Sequence, residues 1–183
     1  MEANDRGVDR LAVEDVDGAI RYFRRAVEMD PQGPYALANL ALALQRKRLT
    51  QEALATIESA LAASPKSAFL YPLAAQIVTA AGDANRAREL LEKGREIDPE
   101  NTEILSQLGL SLFQGNQVKR AIQCLELALA LEPDRWEYAS VLAQVLSTVP
   151  GSQRRAQLVV DQALLYHPDQ PELLQLRQAL QGR

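Results

Sequence analysis

Proline corners recur along this chain at an almost fixed interval, and that interval limits the folds open to it. "EMDP" ends at Pro31, "AASP" at Pro65 and "EIDP" at Pro99, while "LEPD" surrounds Pro133 and "YHPD" surrounds Pro168. Successive prolines stand 34, 34, 34 and 35 residues apart. Proline lacks a backbone N–H and clashes within a helix, so each corner ends one helix and lets another begin. A fixed interval of this length is the signature of a repeat architecture, in which each unit is one supersecondary element stacked on its neighbours.

Between the prolines the apolar residues keep a helical period and show no alternating strand pattern. The first half of successive units carries Leu37, Leu40, Ala41 and Leu44, then Tyr71, Ala74, Ala75 and Val78, then Leu105, Leu108, Gly109 and Leu112, then Ala139, Leu142, Ala143 and Leu146. Each set follows i, i+3, i+4, i+7, which lines one face of an α-helix. The second half repeats small, large, small: Ala19, Phe23, Ala26; Ala53, Ile57, Ala60; Ala87, Leu91, Gly94; Ala121, Leu125, Ala128; Ala156, Val160, Ala163. Small residues let two helix backbones approach closely, and the large one fills the gap between neighbouring pairs. The unit is a helical hairpin that stacks.

Turn signals "RLT", "AGD", "QGN" and "VPGS" separate the two helices of a unit. Gly82 and Gly115 are expected to supply positive φ at a helix end. Asn101 or Glu100 is expected to begin the helix after Pro99. Asp134 and Asp169, each followed three residues on by Glu137 or Glu172, read as N-caps with a capping box. Pro72 reads as a first-turn residue of a helix that starts late, near Leu70, rather than as a kink.

Catalytic chemistry is not legible. The one histidine, His167, occupies the corner slot that Asp30 and Asp98 hold elsewhere, and reads as a solvated loop imidazole. Phosphate loops, nucleophile–base sets and His/Cys clusters are missing from the pattern, so neither an enzyme nor a cofactor or metal site is expected. Cys124 stands alone and reads as an inert, buried or half-buried thiol. The chain is acidic, with net charge −4, and only the short "RYFRR" and "QRKR" clusters are basic, which disfavours nucleic acid. Apolar runs such as "YALANLALAL" are too short to span a bilayer at about 20 residues, so no membrane insertion is expected. A cytoplasmic location follows, unless the chain is a fragment of a longer secreted or membrane-anchored protein.

A 34-residue two-helix unit with these small, large and proline slots resembles the tetratricopeptide repeat. The resemblance covers nearly all of the chain as one domain, residues 1–183, in five units of about 1–33, 34–67, 68–101, 102–135 and 136–170, with a capping helix at about 172–181. It implies an all-α fold, a right-handed α-solenoid of stacked antiparallel helix pairs. The first unit departs most: Ala3, Arg6 and Arg10 stand where other units bring large apolar groups, and only Gly7 fits, which suggests a frayed helix or an N-terminal cap. In the closing helix Leu173, Leu174, Leu176 and Leu180 oppose Gln175, Arg177, Gln178 and Gln181, as a solvating end requires.

By the same resemblance, the first helices line a concave surface. Its lining would be Tyr35, Ala38, Asn39 and Leu42; Phe69, Leu73 and Gln76; Ser106, Gln107, Leu110 and Phe113; and Ser140, Val141 and Gln144. Tyr35, Phe69 and Phe113 read either as a small aromatic ladder or, each of them, as a core residue. The carboxylate clamp by which some relatives hold chaperone tails is broken, because its basic slots carry Asn4, Phe69 and Leu73 and only Asn39 fits. The expected function is a protein-interaction scaffold or adaptor that takes an apolar or amphipathic peptide or helix of a partner protein. The alternatives are self-association through the N-terminal end of the array, giving a homo-oligomer, and, further off, a helical-repeat RNA binder, which would need a basic groove.

Overall fold

The computed structural model describes residues 2–182 and contains, among them, eleven α-helices and no strand. The helices fall into two compact units, one ending at Asp98 and the other beginning at Pro99.

The first unit holds α1 (Glu2–Ala12), α2 (Val16–Met29), α3 (Pro34–Arg46), α4 (Thr50–Ala63), α5 (Leu70–Ala80) and α6 (Ala84–Ile97). Each odd helix packs on the even helix that follows it, and α3 and α5 also pack on the second helix of the preceding pair. The expected core positions are the observed ones: Leu37, Leu40, Ala41, Leu44, Tyr71, Ala74, Ala75 and Val78 are all buried, as are Ala19, Phe23, Ala26, Ala53, Ile57, Ala60, Ala87, Leu91 and Gly94. Close approach is enforced where the side chain is smallest. A Cβ on Gly7 would sit 2.4 Å from a ring carbon of Phe23. So α1, expected to fray or cap, is a regular helix held to α2 through Ala3 and Gly7.

The second unit holds α7 (Thr102–Gln114), α8 (Val118–Leu131), α9 (Trp136–Ser147), α10 (Gln153–Tyr166) and α11 (Pro171–Gln181). Its core gathers Leu125, Leu142, Leu146, Val160, Leu173 and Leu180. A Cβ on Gly109 of α7 would lie 2.7 Å from Leu125 Cγ and 3.2 Å from the Ala121 carbonyl oxygen, so only glycine lets α7 approach α8 this closely. The last helix is tied down at its far end, where Gln153 and Gln157 of α10 donate to the Leu180 carbonyl at 2.9 and 3.1 Å. Those bonds satisfy a carbonyl that the helix leaves without an internal partner.

Outer faces of the second helices carry ion pairs at a repeat-like spacing. Arg24 meets Glu52 at 2.8 Å, Arg86 meets Glu58, and Arg155 meets Glu126 at 2.6 Å. All are exposed, so each contributes at most about 1 kcal/mol and sets register more than stability. Lys47, at the end of α3, donates to Asp17 in the first turn of α2, and that bond and charge hold the Asp17 carboxyl below its ordinary value.

Turn chemistry differs from expectation in informative ways. The left-handed residues are Glu14, Arg48, Gly82, Asn116 and Gly151, with φ between 58° and 92°, and they fall at equivalent positions of successive units. Gly82 is as expected, but Gly115 has φ −82° and its neighbour Asn116 takes the strained position. Asp15, Asp83 and Asn101 cap α2, α6 and α7 through side-chain bonds to Gly18, Arg86 and Ile104 amides. Asp134 and Asp169 do not cap: Arg135 and Gln170 hold those places without a side-chain cap bond. Pro72 is the third residue of α5, in its first turn, where the missing N–H costs little.

Two outcomes test this packing. Replacing Ala121, which is fully buried, by Leu overpacks the α7–α8 contact and lowers stability by about 1 to 3 kcal/mol in urea unfolding. At the left-handed turn, Arg48→Gly removes strain and raises stability by about 0.5 to 1 kcal/mol, whereas Gly82→Val lowers it by about 1 to 2 kcal/mol although nothing crowds the site. Thermal melts of the two variants therefore move in opposite directions.

Candidate functional site

In the first unit the site is built on α1, α3 and α5. Tyr35, Asn39 and Leu42 lie at i, i+4 and i+7 on α3, and Phe69, Leu73 and Gln76 repeat that spacing around α5, so each set follows one face of its helix. Late initiation of α5 at Leu70 leaves Phe69 at the N-cap, outside the helix proper. There its ring stacks on that of Tyr35, with centroids 4.8 Å apart and planes 8° apart. Tyr35 is nevertheless 67% exposed, so one face of its ring is covered and the rest is open to solvent. One turn further along α3, Asn39 Nδ2 donates to Asn4 Oδ1 of α1 at 3.0 Å. This amide pair stands where the resemblance placed a clamp, and it carries no charge.

Burial sorts the remaining positions. Asn39, Leu42, Phe69 and Leu73 are half-buried, Gln76 is exposed and Ala38 is buried. Leu73 and Phe69 also pack against the first unit's core, so Leu73 is a boundary residue rather than a free surface group.

In the second unit the corresponding face belongs to α7 and α9. Leu110 is 43% exposed, Gln144 is exposed, and Ser106, Gln107, Phe113 and Val141 are half-buried. Ser140 is buried and accepts from Gln144 at 3.2 Å. Gln107 donates to Glu103 of its own helix at 2.7 Å. Phe113 and Val141 pack on the second unit's core. The aromatic ladder is therefore seen as the Tyr35–Phe69 pair within the first unit, while Phe113 belongs to the packing of the second.

Sequence reasoning missed several polar contacts. Thr102 donates to Glu132, the Tyr138 hydroxyl donates to Thr102 Oγ1 at 3.3 Å, and the Arg135 guanidinium lies 5.4 Å from the Tyr138 ring centre. His167 stands at the corner after α10, as expected, where it is the C-cap residue and half-buried, and its Nε2 donates to the Asp134 carbonyl. That bond uses the ring to join two proline corners. No group of three or more His, Cys, Asp and Glu among the described residues is placed to hold a metal ion.

Comparison with known proteins agrees with this architecture. Two family models described as tetratricopeptide repeat match the chain, one over residues 4–68 and the other over residues 78–145. A thermophilic TPR protein of Thermus thermophilus superposes with a TM-score of 0.79 at 24% identity, covering 100% of this chain and 98% of that one. PilF of Pseudomonas aeruginosa superposes with a TM-score of 0.85 at 22% identity, covering 99% and 84%. The human mitochondrial import receptor subunit TOM70 is 23% identical over 159 residues, which is 82% of this chain and 26% of the receptor.

A repeated helical hairpin with these family matches defines a helical-repeat interaction scaffold with an all-α solenoid fold. The chain belongs to the tetratricopeptide repeat family, whose members are generally non-enzymatic scaffolds that bind proteins or peptides. It spans only about a quarter or less of the length of the curated relatives it matches. Among the described residues no helix is long and apolar enough to cross a membrane.

The burial pattern separates two leucines that look alike in the sequence. Leu110→Glu leaves the melting curve nearly unchanged, within about 0.5 kcal/mol. Leu73→Glu sets a carboxylate against a packed apolar cluster and costs about 1 to 3 kcal/mol. Parallel thermal melts of the two variants distinguish them.

Proposed function

We propose that this chain is an adaptor whose first-helix face holds an apolar or amphipathic segment of a partner protein. The observation that carries the reading is the Tyr35–Phe69 stack standing beside the Asn4–Asn39 amide pair. An exposed aromatic face offers rigid apolar area at low entropic cost. With the Asn39 Nδ2 to Asn4 Oδ1 bond made, the Asn39 carbonyl oxygen and the Asn4 amide nitrogen remain to accept from and donate to a bound backbone. Amide donors and acceptors beside an apolar platform suit a peptide read through its main chain, with side chains laid on the rings.

The proposed site extends over Tyr35, Asn39, Leu42, Phe69, Leu73 and Gln76 in the first unit. Ser106, Gln107, Leu110, Phe113, Val141 and Gln144 are its counterparts in the second. Ala38 lies beneath the first set and Ser140 beneath the second, both buried. We take the array as one domain of five repeats followed by α11, acting in the cytoplasm, without nucleic acid, cofactor or catalysis.

The test is selection of a displayed peptide library on the purified chain, followed by calorimetric affinities of the selected peptides. Selected sequences are expected to be apolar or amphipathic. Tyr35→Ala and Asn39→Ala each weaken binding about tenfold, or about 1.4 kcal/mol, with the melting curve retained. Peptides that bind both variants as tightly as the parent chain place recognition on another surface.

A further inference from the structure

The first-helix face of the first unit distinguishes between the backbone forms that a bound segment can take. Three features follow one another along one side of α3: the Tyr35 ring with Phe69 stacked on it, the Asn39 amide bonded to Asn4, and Leu42. At 1.5 Å per residue, Asn39 stands about 6 Å and Leu42 about 10 Å along the helix from Tyr35. Helices α1 and α5 both pack on α3. Val8 of α1, 34 residues before Leu42, stands at its level and is 47% exposed. The face therefore offers two apolar slots about 10 Å apart with an amide pair between them.

An extended strand turns every other side chain away, so residues that share its lower side stand about 7 or 13 Å apart and miss one slot. A ligand α-helix lying along α3 brings residues i and i+7 over both slots. Its backbone N–H and C=O groups are bonded internally, however, and leave the amide pair no backbone to read. Polyproline II has three residues per turn and a rise of about 3.1 Å, so residues i and i+3 share one side about 9 Å apart, and its backbone is unbonded. Of the three forms, only this one meets the slots and the amides together.

Resting on the role given above to this face, we infer that the bound segment is a Pro-x-x-Pro stretch in the polyproline II form, with a Lys or Arg between its prolines. The first proline ring lies on the exposed side of Tyr35, and the second enters beside Leu42 and Val8. Proline holds φ near about −65° before binding, so little backbone freedom is lost. Level with Asn39, the intervening backbone donates to the Asn39 carbonyl oxygen and accepts from the Asn4 amide. The two intervening side chains point to opposite flanks, and the flanks differ. On α1 the place 34 residues before Asn39 belongs to Asp5, which is exposed and forms no ion pair among the described residues. On α5 the place 34 residues after it belongs to Leu73. A cation on one flank meets the carboxylate, and an apolar group on the other meets the leucine. Arg46, one turn beyond Leu42, lies outside the span of the two prolines.

Calorimetric titration of the full chain with short synthetic peptides centred on Pro-Arg-Leu-Pro and on Pro-Leu-Arg-Pro tests this. One of the two orders is expected to bind saturably. Alanine in place of both prolines, or one residue added between them, weakens binding about tenfold or more, and Tyr35→Ala weakens it about tenfold. Asp5→Arg weakens it about tenfold, and the same variant binds the peptide carrying Glu in place of Arg to within about threefold of the parent pair. The melting curve of Asp5→Arg matches the parent, since the position is exposed. The proposal is overturned if neither order binds, if the added residue leaves affinity unchanged, or if Asp5→Arg does not reverse the charge preference. An amphipathic helical peptide that binds through Tyr35 where the Pro-x-x-Pro peptides do not overturns this ligand class and leaves the face in place. Peptides of either kind that bind Tyr35→Ala as tightly as the parent overturn the ligand class and the face together.

Discussion

The distance at which two helix backbones meet governs what the rest of this molecule can do. At Gly7 and Gly109 there is no room for a β-carbon, and Ala19, Ala53, Ala121 and Ala156 are fully buried where second helices are crossed. Backbones brought this close bury Phe23, Ile57, Leu125 and Val160 completely. Each such side chain contributes about 1.5 to 3 kcal/mol by leaving water. Within the first unit the same contact fixes how far each helix pair is displaced from the next. That displacement allows residues 34 positions apart, Tyr35 and Phe69, to stack ring on ring.

How much of this is legible in the sequence depends on whether a residue type is dictated by one contact or by several. Core positions were readable throughout, because period and size both follow from a single requirement, the buried face of a helix. Turn geometry was readable only in part. Every hairpin needs one left-handed residue, yet glycine supplies it only at Gly82 and Gly151, while Glu14, Arg48 and Asn116 adopt it under compulsion from the helices on either side. A local propensity of about 1 kcal/mol is overruled by a packed core worth many times that. The capping aspartates failed because each helix begins one residue later than expected: α9 starts at Trp136 and α11 at Pro171, so Arg135 and Gln170 hold the N-cap places and the aspartates lie just outside them.

Lining residues sit at the margin between packing and solvent, where a helical wheel discriminates least. Tyr35 and Leu110 fall clearly on the outer side, whereas Ala38 and Ser140 are drawn inward because small side chains go where helices approach. Leu73 divides its surface between core and face. The Asn4–Asn39 bond was beyond reach for a different reason: it joins helices of two repeats, and the polar character of α1 suggested fraying rather than a partner.

The arrangement of charge follows from the same scaffold and constrains recognition. Ion pairs such as Arg24–Glu52 and Arg155–Glu126 lie on second helices, while the first-helix positions of the proposed site carry aromatic, aliphatic and amide groups. A face of that kind gains little from long-range steering and loses little to salt, since screening acts on charges. Selectivity must then come from shape and from hydrogen bonds that are left unmade when the wrong backbone is offered. Such recognition requires the amides and rings to be held in place before a partner arrives, and here the placing is done by residues that never touch one. Gly7 holds α1 against Phe23, and α1 carries Asn4 to Asn39. Pro72 delays α5, and the delay leaves Phe69 free to meet Tyr35. The proposed binding face is thus an outcome of packing decisions made one layer beneath it.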